Sequence, residues 1–143
     1  IIISNLPYNV STRIILYLFN YKDKILELIC MLQKEVALKF NYNLPKMNKY
    51  KFYTKLNSSY KICFNVSSKV FIPRPKVKSS VVKFTFNNNK INFKKANYFA
   101  DKIFKNVRKK IHKNLNIKSN NDVLNKRVDE LTIEELLYIY NFF

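Results

Sequence analysis

Ile1-Ile2-Ile3-Ser4-Asn5-Leu6-Pro7-Tyr8-Asn9-Val10-Ser11-Thr12 opens the chain and decides how the rest of it is read. An apolar run closed by Asn and Pro reads as a buried parallel strand over residues 1–4. Ser11 or Thr12 then caps a helix in which Ile14, Ile15, Leu18 and Phe19 recur at helical spacing. Asn5-Leu6-Pro7-Tyr8 therefore falls at the C-terminal end of a strand, the edge of an open α/β sheet where ligands bind.

Those four residues have the chemistry to hold a nucleobase that carries an amine. The Asn5 side-chain carbonyl and the Leu6 backbone carbonyl, stiffened by the fixed φ of Pro7, both accept from an exocyclic NH2, and Tyr8 offers a π-face. Such an amine is a poor nucleophile because its lone pair is delocalised into the ring. Two acceptors drawing on its hydrogens favour a pyramidal nitrogen and aim the lone pair at an electrophile. That is catalysis by orientation and electrostatics, and it demands no general base. Asn and Pro are also ordinary turn formers, so the tetrapeptide alone reads equally well as a plain exit from a strand.

Outward from this motif, residues 25–32 form a second apolar run and residues 33–40 have the spacing of a following helix, which makes a second strand-helix unit. A short helix is expected around residues 49–58, a strand over 60–66, a loop carrying Pro73 and Pro75, and an alternating strand over 79–86. Strands joined without a helix imply an antiparallel pair at the sheet edge. Asn87-Asn88-Asn89-Lys90 has a linker's composition, and the pattern is helical from there to the end. The expected domains are thus 1–87 and 88–143.

In the second domain Phe99, Ile103, Val107, Ile111 and Leu115 share one stripe, with Lys102, Lys105, Lys109 and Lys113 on another face. Thr132 and Glu135 make a capping box, Leu131 and Leu136 a staple, and Ile133, Leu136, Leu137 and Tyr140 an apolar face for the last helix.

The charge balance narrows the partner. Lys+Arg 27 against Asp+Glu 9 gives a net charge of +18, a field that attracts polyanions and makes binding salt-sensitive. Codon drift toward A/T would also enrich Lys, Asn, Ile, Phe and Tyr while leaving Gly at 0. Cys30 and Cys63 have neither metal-ligand nor disulfide spacing and read as buried free thiols, and His112 has no companions, so no metal is expected. The apolar stretches are too short or interrupted to span a bilayer, so a cytoplasmic monomer with no membrane partner is expected. A chain that starts at Ile1 rather than Met reads as a fragment.

Three segments in order carry a family resemblance: Asn5-Leu6-Pro7-Tyr8-Asn9-Val10-Ser11-Thr12, Met31-Leu32-Gln33-Lys34-Glu35-Val36-Ala37, and Phe71-Ile72-Pro73-Arg74-Pro75-Lys76-Val77-Lys78-Ser79-Ser80-Val81-Val82. Together they resemble the ribosomal RNA adenine N6,N6-dimethyltransferases, and within them the small-subunit enzymes. The likeness continues more weakly through residues 104–115 and Arg127-Val128-Asp129-Glu130-Leu131-Thr132.

The fold it implies is α/β: the C-terminal half of a Rossmann-like methyltransferase sheet, ending in an antiparallel strand pair, followed by a small all-helical domain. The activity it implies is methyl transfer from S-adenosylmethionine to adjacent adenines in a hairpin loop of small-subunit ribosomal RNA. On this resemblance Asn5, Leu6, Pro7, Tyr8 and Phe71 are the catalytic set, with Tyr8 and Phe71 on opposite faces of the base. Asn5 also touches the cofactor, whose remaining site is expected upstream of Ile1. That would leave the first strand without partners and its apolar edge open. Lys102, Lys105, Arg108, Lys109, Lys110 and Lys113 are candidate RNA phosphate contacts.

The chain departs from the family pattern in places. No glycine-rich cofactor turn exists in it, Arg13 stands where proline is common, Ser67-Ser68 replaces a Pro-Pro pair, and Val107 replaces a basic residue. Met47-Asn48-Lys49-Tyr50 replaces a Tyr-Gly-Arg-Leu stretch, with Asn48 expected at a positive-φ turn. Two alternatives stand beside the main reading: a large-subunit methyltransferase of the macrolide-resistance type, and a non-catalytic basic remnant that binds ribosomal RNA in subunit assembly.

Overall fold

The computed structural model describes residues 1–118 and 121–143. Four strands, β1 (Ile2–Asn5), β2 (Glu27–Gln33), β3 (Ser58–Val66) and β4 (Ser79–Phe86), form one sheet in the order β1-β2-β4-β3. β1 and β2 run parallel, with Asn5 opposite Met31, and β4 pairs antiparallel with both β2 and β3. The parallel pair is joined by α1 (Ser11–Phe19), as a crossover requires, and α2 (Lys34–Phe40) follows β2.

Period-two burial decides which residues of the sheet form the core. Leu28, Cys30 and Leu32 of β2, Val82 and Phe84 of β4 and Tyr60 of β3 are buried on one face. Phe84 is fully enclosed, with its ring centroid 5.9 Å from Phe19, 5.5 Å from Phe40 and 4.9 Å from Tyr60. The Tyr60 hydroxyl donates to the Ala37 carbonyl at 2.7 Å, so the one polar atom of this aromatic cluster is satisfied. Removing an aromatic from such a cluster costs about 3–5 kcal/mol.

Several sequence expectations are corrected. β1 is only partly buried: Ile2 and Ser4 are half-buried while Ile3 is 78% exposed, as is Ile1 just before the strand at 75%, and β1, with a single partner strand, lies at the edge of the described sheet. Neither Ser11 nor Thr12 caps α1. Val10 is the N-cap, and the Ser11 hydroxyl turns back to donate to the Tyr8 carbonyl at 3.3 Å. Cys63 is exposed rather than buried, because a register shift between Ile62 and Phe64 removes it from the alternation. Cys30 is buried as expected, and burial pushes its thiol up to about 12, which keeps it protonated.

The chain divides into two compact units, Ile1–Asn41 with Tyr53–Asn89, and Tyr42–Phe52 with Lys90–Phe143. The segment Tyr42–Phe52 thus groups with the C-terminal helices, although it precedes β3 in sequence. α3 (Lys49–Asn57) starts in the second unit and ends in the first. Its N-cap is Asn48, whose side-chain carbonyl accepts from the Tyr50 and Lys51 amides at 2.9 and 3.1 Å. The positive-φ residue is therefore not Asn48 but Lys46, at φ 62°. With no glycine in the chain, a left-handed turn falls to a residue with a Cβ at a cost of roughly 1–2 kcal/mol. Lys51, only 3% exposed, offsets this by closing the loop: its ammonium donates to the carbonyls of Leu44, Pro45 and Lys46 at 2.7, 2.6 and 3.1 Å.

The second unit has α4 (Phe93–Phe104), α5 (Ile111–Leu115), α6 (Asp122–Asn125) and α7 (Ile133–Phe142), and Phe52 clusters there with Phe99 of α4 and Tyr140 of α7, ring centroids 5.3 to 5.4 Å apart. The expected stripe from Phe99 to Leu115 is split. Phe99 and Ile103 are buried on α4 and Ile111 on α5, but Val107 is 47% exposed in the turn between them. Of a helix or a helix pair, both of which the pattern allows, the structure has the pair, and Asn116 ends α5 at φ 55° in the left-handed conformation that Asn tolerates. The Thr132–Glu135 capping box forms as the sequence indicates, with Ile139 joining Ile133, Leu136 and Tyr140 on the buried face. The helical pattern extended across Ser119 and Asn120, which lie outside the described residues.

Candidate active site

The edge formed by the C-terminal end of β1 and the Pro-rich loop before β4 holds an open cleft of about 340 Å³, lined by Asn5, Leu6, Pro7, Tyr8, Met31, Phe71, Ile72, Pro73 and Pro75. All five residues singled out for catalysis line it. A volume of this size lies at the small end of the range for ligand pockets, about 300–1,000 Å³. None of the lining side chains is ionisable at neutral pH, so the site offers ring faces and neutral hydrogen-bonding groups.

Each wall is positioned by the local sequence. Asn5 closes β1 in register with Met31 and is exposed, and among the described residues its carboxamide makes no protein hydrogen bond. Leu6 buries its side chain, which anchors the strand end, and the Pro7 carbonyl accepts from the Val10 amide at 3.2 Å to turn the chain into α1. The Tyr8 hydroxyl shares a 2.6 Å hydrogen bond with the hydroxyl of Ser79, a residue with no exposed surface at the start of β4. That bond fixes the far end of the Tyr8 ring to the sheet.

In the other lining segment, Phe71 follows a short helical turn, Ser68–Val70, capped by the Ser67 hydroxyl accepting from the Lys69 amide at 3.3 Å. Arg74 donates from Nε to the Ser68 hydroxyl at 3.3 Å, which ties the two ends of the loop. The Lys78 carbonyl accepts from the Lys34 amide at 2.9 Å, fastening the end of the Pro-rich loop to the start of α2. Ser67-Ser68, which stands in place of a rigid dipeptide, thus stabilises the approach to Phe71 by hydrogen bonds instead.

Two contributors were not legible beforehand. Met31 is an apolar residue of the second strand-helix unit with no chemistry to single it out, yet it lines the cleft. Its place at the end of β2 beside Asn5 is a consequence of parallel register, which one sequence does not show. Ser79 reads as a plain strand residue, and only the fold reveals its bond to Tyr8.

The cationic candidates lie on the helical unit. Lys102 is on α4, Lys105, Arg108, Lys109 and Lys110 are in the turn that follows, and Lys113 is on α5; all six are exposed. A bridge between Lys110 and Arg127 brings a seventh cation, Arg127, beside them. Among the described residues no group of three or more His, Cys, Asp or Glu gathers. His112 Nδ1 lies 3.1 Å from the Leu124 carbonyl. No helix of the described residues is long and apolar enough to cross a membrane.

The cleft is walled by ring faces and neutral polar groups. It does not by itself suit a nucleoside sulfonium, because the chain has no glycine to admit close backbone approach and no carboxylate lines the cleft to accept from ribose hydroxyls.

A parallel strand-helix start, an antiparallel closing pair and a cleft at the strand ends define a Rossmann-like methyltransferase fold. Two solved structures share it. A dimethyladenosine transferase from Plasmodium falciparum matches with TM-score 0.76 and 22% identity, over 98% of this chain and 66% of that one. The 23S rRNA methyltransferase ErmE matches with TM-score 0.77 and 16% identity, over 97% of this chain and 63% of that one.

Sequence gives the narrower assignment. The family model for ribosomal RNA adenine dimethylase matches residues 1–142, and the chain belongs to that family. Similar proteins include the ribosomal RNA small subunit methyltransferase A of a Hydrogenobaculum species, 35% identical over 98% of this chain and 56% of that protein. That of Mycoplasma capricolum is 35% identical over 98% of this chain and 59% of that protein. The chain therefore spans somewhat more than half the length of these relatives.

Proposed function

We propose that residues 1–143 form the base-binding side of an RNA adenine N6-methyltransferase whose substrate is small-subunit ribosomal RNA. The observation that carries this reading is the convergence of Asn5, Leu6, Tyr8 and Phe71, from two distant segments, on one cleft without charged walls. In the proposed complex an adenine leaves its stack and lies between Tyr8 and Phe71, with its amine donating to the Asn5 and Leu6 carbonyls. S-adenosylmethionine is the proposed donor, and when bound it supplies an electrophilic methyl group. Asn5 is this chain's proposed contact to that donor.

The protein's own work is extrusion and orientation of the base. The Ser79 tether holds Tyr8 in place before substrate arrives, so little ordering is needed on binding. Adjacent adenines of a hairpin loop are the proposed targets and N6,N6-dimethyladenosine the product, because loop bases are already partly unstacked and cost less to extrude. Lys102, Lys105, Arg108, Lys109, Lys110 and Lys113 are the proposed phosphate contacts, and they position the RNA without selecting the base.

The test uses the protein carrying residues 1–143, small-subunit ribosomal RNA and methyl-labelled S-adenosylmethionine, with mass spectrometry of the nucleosides. Label in N6-methylated adenosine, lost in Tyr8→Ala and Phe71→Ala while RNA binding persists, supports the assignment. Label in another nucleoside, or full activity in both variants, overturns it.

A further inference from the structure

We propose that a groove beside α4 is a second RNA contact, a seat for one unpaired nucleotide; this rests on the reading of the protein as one that acts on RNA. The groove has a volume of about 570 Å³ and is lined by Asn92, Lys94, Lys95, Tyr98, Asp101 and Phe143. Its floor is aromatic and open. Tyr98 is 57% and Phe143 41% exposed, with ring centroids 5.7 Å apart and planes inclined by 35°. The Phe143 ring also lies 5.1 Å from that of Phe99, which is fully buried, so the floor is backed by the core of the unit.

Cations lie on and beside the groove. The Lys102 ammonium sits 5.5 Å from the centre of the Tyr98 ring, and that of Lys95 lies 4.9 Å from Tyr140. Lys94 is exposed at the groove's edge. Of the side chains that line the groove, Lys94 and Lys95 are cationic and Asp101 is a carboxylate, with Lys102 adjoining on the Tyr98 ring. Asn92 spends its carbonyl on the Lys95 amide at 2.9 Å, which leaves its NH2 as a donor.

Open ring faces among ammonium groups match what single-stranded nucleic acid presents, a base face joined to a phosphate. A duplex conceals its base faces in the stack, so it would meet the lysines but not the floor. Asp101 can accept from a nucleotide's N–H or O–H groups, and the open ring faces, which an acidic peptide has no base to cover, favour RNA.

The experiment compares the affinity of the protein carrying residues 1–143 for a short single-stranded RNA and for the duplex of the same sequence, in the parent, Tyr98→Ala and Tyr98→Trp. Tyr98→Ala is expected to weaken single-strand binding about tenfold, the effect of one lost stacking partner. Duplex affinity and salt slope stay unchanged, because no cation is removed, and Tyr98→Trp restores the single-strand value. Unchanged single-strand affinity, an equal loss for the duplex, or failure of Trp to restore binding overturns the seat. So does an acidic peptide that competes with the RNA and loses affinity equally in Tyr98→Ala. A parent that binds RNA but is indifferent to Tyr98 removes this groove alone, whereas a parent with no RNA affinity removes the proposed function as well. Tyr98 is mostly exposed, and an unchanged melting temperature checks that the variant folds.

Discussion

The cleft of the sheet unit and the surface of the helical unit use polar groups in opposite ways. No charged side chain lines the cleft, and its key hydrogen bond joins two hydroxyls. The helical unit carries six exposed cations between Lys102 and Lys113, and its groove sets ammonium groups over ring faces. Neutral, fixed groups suit a site that must aim one amine, because a mobile charge there would cost desolvation without adding direction. Solvated charges suit attraction at a distance, where geometry matters little and salt matters much. On the proposed function, the difference teaches that orientation and affinity fall to separate units of one short chain.

The strongest way to break that division is at Asn5. Asn5→Ala is expected to lower methyl transfer by about 10²–10³-fold, the usual effect of losing one polar group aimed at the reacting atom. RNA affinity should stay near the parent value and stability within about 0.5 kcal/mol, since Asn5 is an exposed strand-end residue. Single-turnover rates, RNA titration and urea unfolding read the three quantities. Intact turnover would show that the cleft does not orient the substrate.

Lys51 gives the converse case, a charge whose role is internal. Lys51→Met strands three carbonyls and should cost about 3 kcal/mol by denaturant unfolding. Catalytic rate per folded molecule should not change. A loss below 1 kcal/mol would mean that the 44–46 loop does not depend on the ammonium.

Neutralising Lys105, Lys109 and Lys113 together to Gln sharpens the contrast further. The slope of log affinity against log salt should flatten by about 2 to 3 for three lost phosphate contacts, with single-turnover rate at saturation unchanged. An unaltered slope would return those lysines to a solvated face.

The smallest effect is expected at Glu135. Its carboxyl is held below the ordinary 4.5, first by the hydrogen bond from Lys126 at 2.6 Å and then by the Thr132 amide. A lowered folded value means that this group adds stability above its unfolded value and that the contribution disappears as pH falls through the folded one. Acid unfolding should therefore lose a small component below about pH 4.5 in Glu135→Gln relative to the parent. Identical acid limbs would remove Glu135 as a contributor.

Much of this arrangement was legible from local pattern. The strand at 79–86, the helix over 49–57 and the Thr132–Glu135 cap depend on neighbours within a few residues, and each forms where the sequence places it. The cleft was legible because Asn5-Leu6-Pro7-Tyr8 lies at a strand end, a position that the fold class defines.

What escaped depends on partners remote in sequence or on backbone detail. Met31 reaches the cleft by strand register, and Cys63 reaches solvent by a bulge. Val107 falls in a turn because α4 stops at Phe104, which helical periodicity alone did not foresee. Lys22 and Lys51 look like any other lysine, yet both are buried, and each is lowered from its ordinary value mainly by desolvation. Lys22 donates to Asn87 and Asn89, so residues that read as a loose linker are fastened at one end to the sheet unit.

The bond between Tyr8 and Ser79 joins residues 71 apart. During synthesis the first wall of the cleft leaves the ribosome long before the residue that fixes it does, so a chain halted anywhere ahead of β4 has no finished pocket. The recess is therefore complete only once the chain has been made through the first residue of β4.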